Sequence, residues 1–200
     1  MRSRRIPSAF IALLAALFFA PLAKADPVEN AVKDIRAKYN KIEGAKLPSK
    51  SINWEPGDDP AWGKMTKYYS DGNLVKVYFN FGEGDHGGGD EYYYYWNGEF
   101  IFAFANQSYW KFTGRTKADG QEETADVNIE QRLYFANGQL IRHLYREASS
   151  TNPQLLKQIM AATENAHQND PEFASQVQRR AILAASASSP GDIENIIYGE

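Results

Sequence analysis

Residues 93–105 read YYYWNGEFIFAFA, an aromatic run, an Asn97-Gly98 pair and a second apolar run. Aromatic side chains favour strands. Asn-Gly between two apolar segments supplies the left-handed backbone of a tight two-residue hairpin turn. The same arrangement occurs twice more, as KYYSDGNLVKVYF at 67–79 and LYFANGQLIRHLY at 133–145. In each, Asp or Asn precedes the glycine, and an apolar pair follows at its second and third positions: Leu74-Val75, Phe100-Ile101, Leu140-Ile141. The turn glycines Gly72, Gly98 and Gly138 are 26 and then 40 residues apart, so the repeat is not a regular solenoid. Three hairpins, hence about six antiparallel strands in a meander, are expected. Strict alternation after Gly98 puts Phe100, Phe102 and Phe104 on one face, with Ile101, Ala103 and Ala105 on the other. That strand is then apolar on both faces and central. Lys76 and Arg142 interrupt one face of the outer hairpins.

Helices flank the hairpins. Asp26-Pro27 is a cap followed by a first-turn proline. Val28, Ala31, Val32, Ile35, Tyr39 and Ile42 then recur at helical spacing, up to Gly44 and Pro48. Asn152-Pro153 and Asp170-Pro171 open two further helices, and a short one spans 190–198. The fold class is therefore α+β: an N-terminal helix packed on an antiparallel meander, then C-terminal helices. The expected divisions are 1–25, a signal peptide; 26–150, the hairpin-repeat domain; and 151–200, a C-terminal helical segment.

The first 25 residues carry the three parts of an export signal: Arg2, Arg4 and Arg5, an apolar run from Ala9 to Ala20, and Ala23-Lys24-Ala25. The run is about a dozen residues, short of the ~20 that a span needs. No later segment is apolar enough to cross a membrane. Cleavage near Ala25 removes four basic residues and no acid, leaving 18 basic against 25 acidic and moving the net charge from -3 to -7. Such a balance argues against a nucleic-acid partner. The chain has no cysteine, which excludes disulfides, thiol catalysis and thiolate metal sites. With the signal, this points to a bacterial periplasmic or secreted protein.

The segments EGDHGGGDEYYYYWNGEFIFAF (83–104) and EQRLYFANGQLIRHL (130–144) resemble a recurrent group of exported bacterial proteins. That group has a short helix, a turn containing glycine and histidine leading into a Tyr-rich strand, and a closing hairpin. The resemblance extends from Val28 to Tyr145 and leaves out the helices from Asn152 onward. It implies an α+β exported domain and no particular reaction. Membrane-occupation repeats share the Tyr-and-Gly hairpin but recur at a shorter, regular spacing.

Two stretches are candidate sites. The 82–91 segment holds five glycines, four acids and a histidine. Asp85, His86, Asp90 and Glu91 are candidate ligands for a hard or borderline cation. The alternative is a mobile connection between hairpins, with solvated charges. The run from Tyr92 to Trp96 places Tyr92, Tyr94 and Trp96 on one strand face, with Tyr93 and Tyr95 on the other. If uncovered, Tyr92, Tyr94 and Trp96 form a platform for stacking sugars or apolar peptide; if covered, they are core. The face opposite the N-terminal helix is the expected binding surface.

The histidines, His86, His143 and His167, form no His-Glu-x-x-His motif, and no serine sits in a Gly-x-Ser-x-Gly elbow. No phosphate loop or dinucleotide fingerprint is present, and no cofactor is indicated. The leading reading is a non-catalytic exported module binding an envelope protein, a peptide or a glycan. The alternatives are a metal-dependent or hydrolytic envelope enzyme using the 82–91 segment, and a structural or inhibitor-like protein docking through its C-terminal helices.

Overall fold

The computed structural model describes residues 26–57 and 60–199. The expected signal peptide lies outside them. Helix α1 (Pro27–Glu43) precedes seven strands: β1 (Ser49–Trp54), β2 (Ala61–Ser70), β3 (Asn73–Glu83), β4 (Gly87–Trp96), β5 (Glu99–Thr116), β6 (Glu122–Ala136) and β7 (Gln139–Ser150). Then come α2 (Pro153–Ala162), β8 (Ala166–His167), α3 (Pro171–Ser186) and α4 (Pro190–Tyr198). All eight strands form one antiparallel sheet in sequential order. The three expected hairpins supply β2 to β7. The count of six rises to eight because β1 and the two-residue β8 add edges. Both are largely exposed and too polar or too short to show as apolar runs.

The helix starts follow the caps. Asp26 Oδ1 accepts from Val28 N at 2.9 Å, Asn152 Oδ1 from Gln154 N at 2.9 Å, and Asp170 Oδ1 from Phe173 N at 2.9 Å. Proline stands at the first turn of all four helices. No helix of the described residues is long and apolar enough to cross a membrane.

Each hairpin turns on two residues of positive φ: Asp71 and Gly72 (50° and 80°), Asn97 and Gly98 (51° and 82°), Asn137 and Gly138 (51° and 74°). This is the turn whose twist matches the strands. Each is followed by a register shift at the same place. Tyr68 pairs with Lys76 but Tyr69 with Leu74; Tyr94 with Phe102 but Tyr95 with Phe100; Tyr134 with Arg142 but Phe135 with Leu140. The extra residues are Val75, Ile101 and Ile141, the second members of the repeated apolar pairs. A bulge reverses the alternation beyond it. Phe100 therefore faces one side of the sheet, while Ile101, Phe102 and Phe104 face the other. The expected set of Phe100, Phe102 and Phe104 on one face is broken for that reason.

The 82–91 segment is also not a loop. Gly87, Gly88 and Gly89 lie in β4, all three paired with β5 and the last two also with β3, which leaves residues 84–86 as the connection. A Cβ on Gly88 would sit 2.5 Å from the Phe81 carbonyl oxygen, so the glycine admits a close strand approach rather than mobility.

Both faces of the sheet carry helices. On one, α1 packs Val32, Ile35 and Ile42 against Tyr94, Ile101, Phe102 and Tyr134. On the other, Ala174, Val177, Ala181 and Ala184 of α3 and Ile193 and Ile196 of α4 close over Met65, Phe79, Tyr93, Tyr95, Leu133 and Phe135. The alanines let α3 approach the aromatic floor, and the Tyr95 hydroxyl donates to the Ala181 carbonyl at 2.6 Å. Lys67, buried and held below its ordinary pKa by desolvation, donates to the carbonyls of Ala185 (2.8 Å) and Ala187 (2.5 Å) at the end of α3. Helices α3 and α4 thus cap this face of the sheet. Their buried residues belong to the same core as Met65, Phe79, Tyr93 and Leu133 of the sheet.

Two buried polar groups tie α3 down. Glu91, 1 % exposed, receives both Nε (3.0 Å) and Nη2 (2.7 Å) of Arg180 and the Tyr93 hydroxyl. His143 lies parallel to Phe173 of α3, with Nε2 2.8 Å from Gln131 Oε1 and Nδ1 buried without a partner. Replacing Arg180 by alanine strands the Glu91 carboxylate, and should cost about 3 kcal/mol in urea unfolding. A paired R180M/E91L change should recover much of that loss.

Burial holds the His143 imidazole below its ordinary value of 6.5, with Asp170 partly opposing. The unfolded chain then binds the proton more readily. The contribution is fully present above 6.5 and is lost as pH falls below it. Unfolding free energy should drop from about pH 7.5 to about pH 5.5, and H143Q should flatten that slope.

Candidate functional site

Helix α1 crosses the strands. Glu29 pairs with Arg142 on β7, Tyr39 meets Phe102 on β5 at 5.7 Å, and Glu43 accepts from Lys76 on β3 at 2.6 Å. Glu29 and Glu43 are about 21 Å apart along the helix axis, close to the about 19 Å between β7 and β3. The Arg142 bond holds the Glu29 carboxyl below its usual range. These anchors fix α1 over the turn-proximal part of the sheet. Helix α2 sits at the distal end of β6 and β7, where Leu156 and Met160 cover Ala148.

Between α1 and the α2–β8 connection a cavity of about 640 Å³ opens onto the sheet. Its floor includes Tyr92 and Phe104. Arg36, Asn40 and Glu43 of α1 form one wall, and Arg132 and Asn165 the other. The Arg132 guanidinium lies 4.9 Å from the centre of the Phe104 ring and is held by Asn165 Oδ1 (2.8 Å) and Glu130 Oε2 (2.9 Å). Arg146 donates to the same Glu130 oxygen from Nε (2.9 Å) and Nη2 (2.6 Å). Glu130 is thus shared by two guanidinium groups, which leaves the trio with a net positive charge.

The expected platform is divided by α1. Tyr92 is half-buried, lines the cavity and stacks on Tyr78 at 4.8 Å. Tyr94 is 3 % exposed under Tyr39, and its hydroxyl donates to Glu43 Oε1 at 2.9 Å. Trp96 lies outside this cavity, with Lys38 and Lys41 5.8 and 5.2 Å from its ring, and lines a smaller concavity of about 410 Å³. The three rings share a face, as alternation requires, but form no continuous surface. The face opposite α1 is occupied by α3 and α4. The open part of the sheet is therefore on the α1 side, beside the helix.

That open part continues away from α1. On β4 the next side chain on this face is Asp90, which accepts from the Tyr78 hydroxyl (2.5 Å) and Asn80 Nδ2 (2.9 Å). On β5 the series is Phe104, Asn106, Ser108, Trp110. Asn106 is opposite Glu130 and Ser108 opposite Asn128, so the two asparagines are diagonal neighbours. The Oδ1 atoms of both are buried without a hydrogen-bond partner. Burial raises the phenol pKa values of Tyr78, Tyr92 and Tyr94, with Asp90 adding to the first two and Glu43 to the third. All three hydroxyls are protonated donors at neutral pH.

The four cation-ligand candidates are not brought together. Asp85 and His86 stand exposed in the β3–β4 turn, His86 Nε2 3.5 Å from Asp85 Oδ1. Asp90 faces the α1 side and Glu91 the α3 side, as neighbours in a strand must. No group of three His, Asp or Glu side chains converges among the described residues.

Phe104, Arg132, Asn106 and Asn128 belong to the site but do not stand out in the sequence. Each is an ordinary strand residue until pairing places it. The only trace is polarity: carboxamides at 106 and 128 in segments otherwise suited to strands. No family model, curated protein or solved structure matches the chain.

A buried polar atom without a partner costs about 1–3 kcal/mol. N106A and N128A remove that cost along with the side chain, and each should change the urea-unfolding free energy by less than about 0.5 kcal/mol. N80A, which breaks the bond to Asp90, should lose about 1 kcal/mol in the same measurement.

Proposed function

We propose that this protein is an exported, non-catalytic binding module that takes its ligand in the concavity between α1 and the sheet. The observation that carries the reading is the half-buried Tyr92–Phe104 floor in a cavity of about 640 Å³. Such a volume is typical of ligand clefts, as is an apolar floor with a few polar groups at its rim. The polar groups are held in place: Arg132 by Asn165 and Glu130, Glu43 by Lys76 and Tyr94. A preorganised rim loses little conformational freedom on binding. Export rests on the Arg-rich start, the short apolar run and the Ala23-Lys24-Ala25 cleavage pattern. The resemblance to exported hairpin proteins agrees with it.

Expression of the full chain in a bacterial host should yield a periplasmic or secreted product whose mass corresponds to a start at Asp26. A cytoplasmic product with an intact N-terminus would remove the export part of the reading. For binding, the purified protein is titrated calorimetrically with envelope glycans and peptides. Whichever binds should lose at least about tenfold in affinity on Y92A/F104A, equivalent to about 1.4 kcal/mol. Unchanged affinity in a folded double variant would rule the cavity out.

A further inference from the structure

We infer that the ligand is an anionic small molecule, whose oxyanion group (a carboxylate or a phosphate) sits between Arg36 and Arg132 and whose apolar body lies on the rings of the cavity floor. This rests on the binding role proposed above and specifies its chemistry. The two guanidinium groups line the cavity from opposite walls, one from α1 and one from β6. Each stands over a floor ring: Arg36 is 5.8 Å from the centre of Tyr134, and Arg132 is 4.9 Å from that of Phe104. Tyr134 and Arg132 are alternate residues of β6 on one face, about 7 Å apart. The two cations therefore flank one short stretch of floor, within the span of a single ligand.

Neither cation is used up by the protein. Arg36 is exposed, its side chain meets the Tyr134 ring, and it forms no ion pair among the described residues. Glu29, whose carboxyl feels the Arg36 charge, is held by both Nη atoms of Arg142. Arg132 is oriented by Asn165 through Nη1 and by Glu130 through Nη2, which leaves its Nε–H without a protein acceptor. Around the cavity four bases (Arg36, Lys76, Arg132 and Arg146) thus meet two acids (Glu43 and Glu130). Counting Asp90, which accepts from Tyr78 and Asn80, still leaves base in excess.

That excess runs against the composition of the chain, in which 25 acids outnumber 22 bases. A cleft lined by one sign of charge draws in ligands of the other. A guanidinium presents its N–H donors in a fork that fits an oxyanion, and the second guanidinium faces it from the other wall. Glu43, on the same wall as Arg36, is held by Lys76 and the Tyr94 hydroxyl and so does not face the anion unpaired. Beside the two cations the lining is Tyr92, Phe102, Phe104, Tyr134 and Leu144, an apolar surface for the rest of the ligand.

The test uses naphthyl and decyl compounds that carry a carboxylate, a phosphate, a carboxamide or an ammonium group, titrated calorimetrically into the purified protein. An anionic member should bind at least about tenfold more tightly than the carboxamide with the same body, and its affinity should fall as salt rises from about 50 to about 500 mM. The better of carboxylate and phosphate identifies the oxyanion. R36Q should abolish the preference while leaving carboxamide affinity and the unfolding midpoint in place, since Arg36 holds no carboxylate of the protein. R132Q should do the same from the facing wall, with Glu130 still held by Arg146. Binding that is lost on Y92A/F104A but is indifferent to ligand charge, or to R36Q and R132Q, overturns the anion site and leaves the binding role standing. A preference for the ammonium compounds, or no saturable binding of any anionic member, overturns the inference outright.

Discussion

Lys76, Phe102 and Arg142 reach α1 because each follows a bulged residue. Without Val75, Ile101 and Ile141 as extra residues, strict alternation would turn these three side chains to the α3 side. There two charged groups would meet a core of alanines and aromatic rings. With the bulges, a base on β3, a ring on β5 and a base on β7 fall in line across the sheet. Their partners Glu43, Tyr39 and Glu29 are spaced along α1 to match. The position of the helix, and hence of the space beside it, depends on this repeated irregularity.

The two faces of the sheet are closed by different means. On the α3 side, small residues bring the helix close and buried polar groups lock it. Arg180 forks onto Glu91, Lys67 meets the last carbonyls of α3, and Tyr95 reaches the Ala181 carbonyl. On this side the central rings Phe79, Tyr93, Tyr95 and Phe135 are buried under the helices. On the α1 side one helix crosses five strands near their turns and α2 covers the distal end of β7 at Ala148, which leaves the face between them less covered. Long strands β5 and β6 therefore extend a two-layer region beyond the three-layer core.

In that region the side chains obey different rules. Asp90 and Glu130 are fully engaged by neighbours, as buried charges must be. Asn106 and Asn128 are not. Two adjacent carboxamide oxygens left without a donor are a stability cost that this fold carries. The protonated phenols nearby add donors with no charge.

Much of the fold is legible in the sequence. Asp26-Pro27, Asn152-Pro153 and Asp170-Pro171 mark helix starts because caps and first-turn prolines act locally. The Asp-Gly and Asn-Gly pairs mark hairpins because positive φ at two successive residues is a local demand. Alternation alone separates Tyr92, Tyr94 and Trp96 from Tyr93 and Tyr95, and Asp90 from Glu91. The bulges were written in the repeated apolar pairs, but a register shift is a relation between two strands and does not show in one. The glycines at 87–89 looked like a loop because nothing local tells a flexible glycine from one admitting a neighbouring backbone.

The sequence by itself determined the helices, the three hairpins, their order and the antiparallel meander, since turns, caps and alternation are set by neighbours along the chain, while the edge strands β1 and β8 came from pairing. Only the tertiary structure decided which face stayed open. Strand pairing brought Asn106 beside Asn128 across 22 residues of chain, and bulge-directed anchors placed α1 between Tyr92 and Trp96. Both depend on long-range packing, in which the burial of one side chain is settled by residues far from it in sequence.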